Sequence, residues 1–181
     1  MLKKKGQIWV ETVLYTLIGL ALIGITLAIM MQKITQSREK VVVEQSIESL
    51  NSLDGKIVEV VDYGPGNLRN IEELGMKKGE LYFNYQDEDK IVLLLDELNY
   101  PYSEPGITIT RGRVEIVTEG VQGKYRVLLT LDYEGFVDLT YNGEGVEKKF
   151  NAAPVPYSFI VENTGVSGIE TEVDIRESSE G

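Results

Sequence analysis

Hydrophobic and polar positions divide this chain into three stretches of different period. Thr12 to Met31 is an apolar run of 20 residues without a charge, preceded by Lys3, Lys4, Lys5, Gly6 and Glu11. A helical run of that length matches the ~30 Å hydrocarbon core of a bilayer. From Gln32 to Leu53 there is no glycine or proline, and good helix formers dominate. Val42, Val43, Ile47, Leu50 and Leu53 fall on one side at 100° per residue, with Lys40, Glu44, Gln45 and Glu48 on the other. Asp54-Gly55 reads as the helix end, with glycine at the C′ position. The expected first element is one helix over 7–54, apolar all round in its first half and amphipathic in its second.

After Gly55 the period falls to two. Lys56–Tyr63 reads as a first strand stopped by the turn Gly64-Pro65-Gly66-Asn67, and Asn70–Gly75 as a single helical turn. Leu81–Tyr85 and Ile91–Leu95 flank the acidic turn Asp87-Glu88-Asp89, and Leu98–Gly106 is irregular. Ile107–Thr118 reads as one strand bulged at Gly112, followed by Tyr125–Tyr133 with strict alternation. Phe136–Tyr141 and Val146–Phe150 form an expected hairpin around Asn142-Gly143. Tyr157–Glu162 and Ile169–Ile175 form another around Asn163-Thr164-Gly165, and a polar tail follows over 177–181. Nine or so short strands predict an α+β chain: a long amino-terminal helix, then an antiparallel β-sandwich or meander over 55–176.

Composition narrows the function classes. The net charge is −11; without the three leader lysines, 15 basic against 29 acidic residues leave −14. That excess argues against a nucleic-acid partner, which requires a basic patch. There is no cysteine and no histidine. Disulfides, thiolate metal sites and Ser-His-Asp or Cys-His catalysis are therefore excluded, and the chain does not read as an enzyme. No cofactor or metal is expected. Roughly 125 residues after the helix suffice for one exterior domain.

The first thirty residues admit several readings. A cleaved secretory signal has a shorter apolar core and a small-x-small site, and a buried core helix is also usually shorter than this run. A plain membrane anchor fits the length, with Trp9 and Tyr15 as interfacial aromatics and Glu11 among the head groups. The lysine cluster before the span places the amino end in the cytoplasm and the β-domain outside. A fourth reading starts from Lys4, Lys5, Gly6, Gln7 and Glu11. Cleavage after Gly6, which permits close backbone approach, would make Gln7 the first residue and Glu11 the fifth. The new α-amine would be largely charged at neutral pH, and a residue four positions on lies on its helix face. In a bundle of such helices that amine could instead pair with Glu11 of a neighbour and set the axial register.

This constellation resembles the class III signal peptide of type IV pilins and archaellins. The resemblance covers roughly residues 3–50. It implies a prepilin-type peptidase acting at Lys4, Lys5, Gly6 and Gln7, and an assembly role for Glu11. It also implies self-association in a filament through the amino-terminal helix, with Gly19 and Gly24 allowing close helix approach. Gln7 looks like the archaeal branch, whereas Trp9 departs from the serine common there. The rival expectation is an uncleaved single-pass anchor displaying a β-domain for adhesion.

Smaller features carry bland readings beside functional ones. Asp87-Glu88-Asp89 has carboxylates suited to calcium but lacks the ligand spacing of an EF-hand loop, so a solvated turn is preferred. Tyr82, Tyr85, Tyr100, Tyr102, Tyr125, Tyr133, Tyr141 and Tyr157 could stack on sugar or make subunit contacts, but their strand positions favour half-buried packing. No Asn-x-Ser/Thr sequon occurs.

Overall fold

One apolar stripe explains the first element better than glycine punctuation does. The computed structural model describes residues 3–178, with side chains from residue 9 onward. Helix α1 runs Lys3–Tyr63, past the end expected at Asp54-Gly55. The strand expected over Lys56–Tyr63 is therefore helix. Ile57 and Val60 are β-branched, yet they extend the buried series Val43, Ile47, Leu50, Leu53 at helical spacing. Burial of that series outweighs their local strand preference. The stop is Gly64, in the left-handed region at φ 84°. Its N–H donates to Val61 O at 3.2 Å, and Asn67 Nδ2 caps the carbonyls of Tyr63 and Gly64 at 2.9 Å each.

The chain divides into two units at the Arg38–Glu39 junction. The second unit holds α1 from Glu39 and ten strands. These are β1 (Leu68–Leu74), β2 (Glu80–Phe83), β3 (Lys90–Leu98), β4 (Thr108–Arg111) and β5 (Val114–Val121), then β6 (Lys124–Asp132), β7 (Val137–Tyr141), β8 (Lys148–Asn151), β9 (Tyr157–Ser167) and β10 (Glu170–Glu177). They form a four-stranded sheet, β1-β9-β10-β7, and a six-stranded sheet, β4-β5-β6-β3-β2-β8. All pairs are antiparallel except β7 with β10. The class is α+β, with an open sandwich as expected.

Four local expectations are corrected. Asn70–Gly75 is not a helical turn: Ile71 and Leu74 point into the core, and the segment pairs along β9 as β1. Gly112 is not a bulge but the first residue of a two-residue hairpin turn, φ 65°, that splits the predicted strand into β4 and β5. The turn at Asn142-Gly143 forms, with φ 53° and 75°, but closes only the Tyr141–Glu144 bridge. β7 then pairs in parallel with β10, while β8 crosses to β2 in the other sheet. Finally, β9 runs straight through Asn163-Thr164-Gly165, where the register slips by one residue, and turns at Gly168 instead.

The two sheets enclose one core, to which α1 contributes its stripe. The two edges are sealed differently. Phe83, Tyr141, Phe150, Tyr157 and Phe159, from β2, β7, β8 and β9, interlock mainly edge-to-face with centroids 5.2–6.4 Å apart. Helix α1 bonds to both β1 and the β4–β5 turn, the outer strands of the two sheets: Arg69 Nε lies 2.9 Å from Glu59 Oε1, and Asn51 Nδ2 donates to Arg111 O at 3.3 Å.

Candidate functional site

Among the described residues the first unit is helix alone, and its side chains from Trp9 onward face outward on every side. Trp9 is 71% exposed, Ile23 58% and Met31 69%. From Val10 to Ile34 the large apolar residues are exposed. Threonine hydroxyls along this part of the helix turn inward to the backbone: Thr16 donates to Thr12 O and Thr26 to Leu22 O at 2.8 Å, and Thr35 to Met31 O at 3.1 Å. A hydroxyl satisfied four residues back needs nothing from its surroundings, as a non-aqueous environment demands. By length and composition this helix can cross a membrane.

The residues singled out for processing, Lys4, Lys5, Gly6 and Gln7, fall in the first turns of α1, and their side chains lie outside those described. Met1 and Leu2 of the expected leader, and 179–181 of the expected polar tail, lie outside the described residues altogether. Glu11 is exposed on the helix at the start of the apolar stretch. A Cβ on Gly19 or Gly24 would meet nothing within 4 Å, so neither glycine is required by packing within the chain.

The second half of α1 carries polar fastenings beside its apolar stripe. Glu39 accepts from Asn99 N at 3.1 and 3.0 Å, from Tyr100 N at 3.1 Å and from Asn99 Nδ2 at 2.5 Å. Asp54, expected at the helix end, is a buried helical residue whose Oδ1 accepts from Tyr133 OH at 2.8 Å. Arg113 Nη1 lies 3.4 Å from the same oxygen, its guanidinium over the rings of Tyr133 and Phe136. Burial, then the Asp54 charge, pushes the Tyr133 hydroxyl far above its ordinary pKa, so it stays a donor. Buried Asn163 donates its Nδ2 to Val60 O at 3.0 Å, near the helix end. The sequence signal for these fastenings was polar residues on or beside the apolar face. By local pattern alone Asn163 reads as a turn residue and Asp54 as a helix stop, and their partners lie far along the chain.

The acidic turn between β2 and β3 is occupied by the protein itself. Asp87 Oδ1 accepts from Glu147 N at 3.1 Å, Glu88 Oε2 from Lys90 Nζ at 2.8 Å and Asp89 Oδ1 from Leu139 N at 2.8 Å. Burial and the nearby carboxylates of Asp138, Glu134 and Asp132 raise the Asp89 pKa against the lowering effect of that amide. Among the described residues no three carboxylates are grouped as a cation site requires. Of the eight tyrosines between Tyr82 and Tyr157, Tyr133 and Tyr141 are buried and the other six half-buried. Comparison with family models, curated proteins and solved structures finds no match to this chain.

Proposed function

We propose that this chain is a pilin-like structural subunit of an archaeal type IV pilus-type surface filament. It is inserted with its amino end in the cytoplasm and its β-domain outside, cleaved after Gly6 by a prepilin-type peptidase, and assembled through its amino-terminal helix. The observation that carries this reading is the change of character along α1. From Thr12 to Met31 the side chains carry no charge and the large apolar ones are exposed all round, whereas from Val43 a single stripe is buried in the sandwich. One half of the helix is thus free for other helices or lipid while the other belongs to its own domain. Glu11, at the entrance to the apolar half, is four residues beyond the amine that cleavage would expose. The fully exposed apolar half also suits the rival, an uncleaved anchor displaying the sandwich for adhesion. The amino-terminal residue of surface protein isolated from native cells, read by mass spectrometry, separates the two. Gln7 is expected, and an intact leader on the surface pool would overturn the filament reading.

A further inference from the structure

The polar fastenings along α1 differ in exposure. Asp54, Tyr133 and Asn163 are buried, and the helix around them carries Leu50, Leu53, Ile57 and Val60 into the core. Glu39 stands apart. It is the half-buried first residue of the second unit, three of its four bonds are solvent-exposed and the fourth, from Tyr100 N, is part-buried, and the next three residues bring no fully buried side chain before Val43. Lys40 and Val41 are exposed, and Val42 is half-buried. The first turn of the docked helix is therefore held by Glu39 and by little apolar contact.

The grip itself is specific. One carboxylate takes two successive backbone N–H groups, those of Asn99 and Tyr100, together with the Asn99 side-chain amide. Those N–H groups open the segment after β3, which has no regular partner until β4. The Asn99 amide is oriented from its other side, because Lys124 Nζ, at the start of β6, donates to its Oδ1. Glu39, Asn99 and Lys124 thus link α1, the end of β3 and the start of β6. Charge-assisted bonds of this kind are stronger than neutral ones, yet in contact with water they exchange readily for solvent.

We propose that Glu39 is a releasable latch that sets where the docked part of α1 begins. Closed, it fastens the helix from residue 39. Open, the fastened part begins at Val43, four residues later, and about 6 Å of helix is freed at 1.5 Å per residue. The buried fastenings farther along keep the rest of α1 in place, so opening is local rather than an unfolding of the domain. The latch gives the domain a short compliant segment at the place where its helix stops being part of it. This inference does not depend on the filament reading; it holds equally for an anchored protein.

The absence of native cysteine makes a distance measurement direct. In the full chain in detergent micelles, spin labels are placed at exposed Val41 and Gln122 through Val41→Cys and Gln122→Cys, and at exposed Ser52 and Gln122 as the second pair. With Glu39 intact, both distance distributions are narrow. With Glu39→Ala the 41–122 distribution should broaden roughly twofold while 52–122 is unchanged, because local opening spares buried contacts. Lys124→Met should broaden 41–122 by less. An unchanged 41–122 distribution with Glu39→Ala would overturn the latch, and so would equal broadening of both pairs, which would mean a generally loosened helix.

Discussion

Asp89 shows how one residue can work against the fold it completes. Its carboxylate caps the Leu139 amide, its N–H is held by Asn84 Oδ1 at 2.9 Å and its carbonyl accepts from Tyr133 N at 3.1 Å. Yet its φ is 52° and burial among like charges raises its pKa. A carboxyl that binds its proton more tightly in the folded than in the unfolded chain is a cost once ionised. That cost is fully present at pH 7, fades as pH falls through the raised folded pKa, and is gone below the ordinary value. Asp89→Asn keeps an acceptor for Leu139 and tolerates the left-handed backbone. We expect a modestly higher melting temperature than wild type at pH 7, with the gain shrinking toward pH 3. Thermal melts of both proteins across that range check it, and a gain independent of pH would assign the effect to backbone strain alone.

At the scale of elements, the instructive case is the end of α1. Gly55 satisfied every local rule for a helix stop, and Gly64-Pro65 those for a strand-ending turn. The stripe Val43–Val60 decides otherwise, because partners for it come from strands that lie far along the chain. This makes opposite predictions for two glycines. Gly55 sits mid-helix with open space around a Cβ, so Gly55→Ala should stabilise by ~0.5–1 kcal/mol. Gly64 holds φ 84°, so Gly64→Ala should destabilise by ~1 kcal/mol or more. Chemical denaturation of the two variants checks both signs; a loss with Gly55→Ala would contradict the observed helix end. The same contrast explains what was legible beforehand. The long helix, the amphipathic switch and the alternation of Tyr125–Tyr133 are local patterns, and the chain shows them plainly. Pairing is not local. Asn142-Gly143 makes its turn, but Val137–Tyr141 finds its partner at Thr171–Ile175 and Lys148–Asn151 at Glu80–Phe83. The candidate site divides in the same way. Glu11, Gly19 and Gly24 could be named from spacing, whereas Glu39 and Asp54 acquire roles only through Asn99, Tyr100 and Tyr133, many residues away.

On the scale of the whole molecule, the chain places a strongly apolar exposed helix and an acidic sandwich in one polypeptide, and each half sets a condition on the other's surroundings. The helix suits an apolar environment, since its large apolar side chains from Val10 to Ile34 are exposed. The sandwich completes its own core and pairs some of its charges at half-exposed positions, such as Lys149–Glu80 at 2.6 Å and Arg126–Asp96 at 2.6 Å. Within the proposed function, Glu11 is the group on which the two candidate environments make different demands. In a bilayer interface it needs only water and head groups, and replacing it should change little. In a bundle of helices that excludes water, an ionised carboxylate is tolerated only beside a cation, and the cleaved α-amine of a neighbour supplies one. Glu11→Gln keeps shape and hydrogen bonding but removes the charge. Insertion and cleavage after Gly6 should proceed as in wild type, while the yield of sheared filaments should fall at least roughly tenfold, the loss expected when a buried amine is left unpaired. Filament yield by electron microscopy, scored beside the fraction of processed subunit in the membrane, distinguishes an assembly defect from a processing one. Wild-type filament yield from fully processed Glu11→Gln would remove the charge from the assembly role assigned to it.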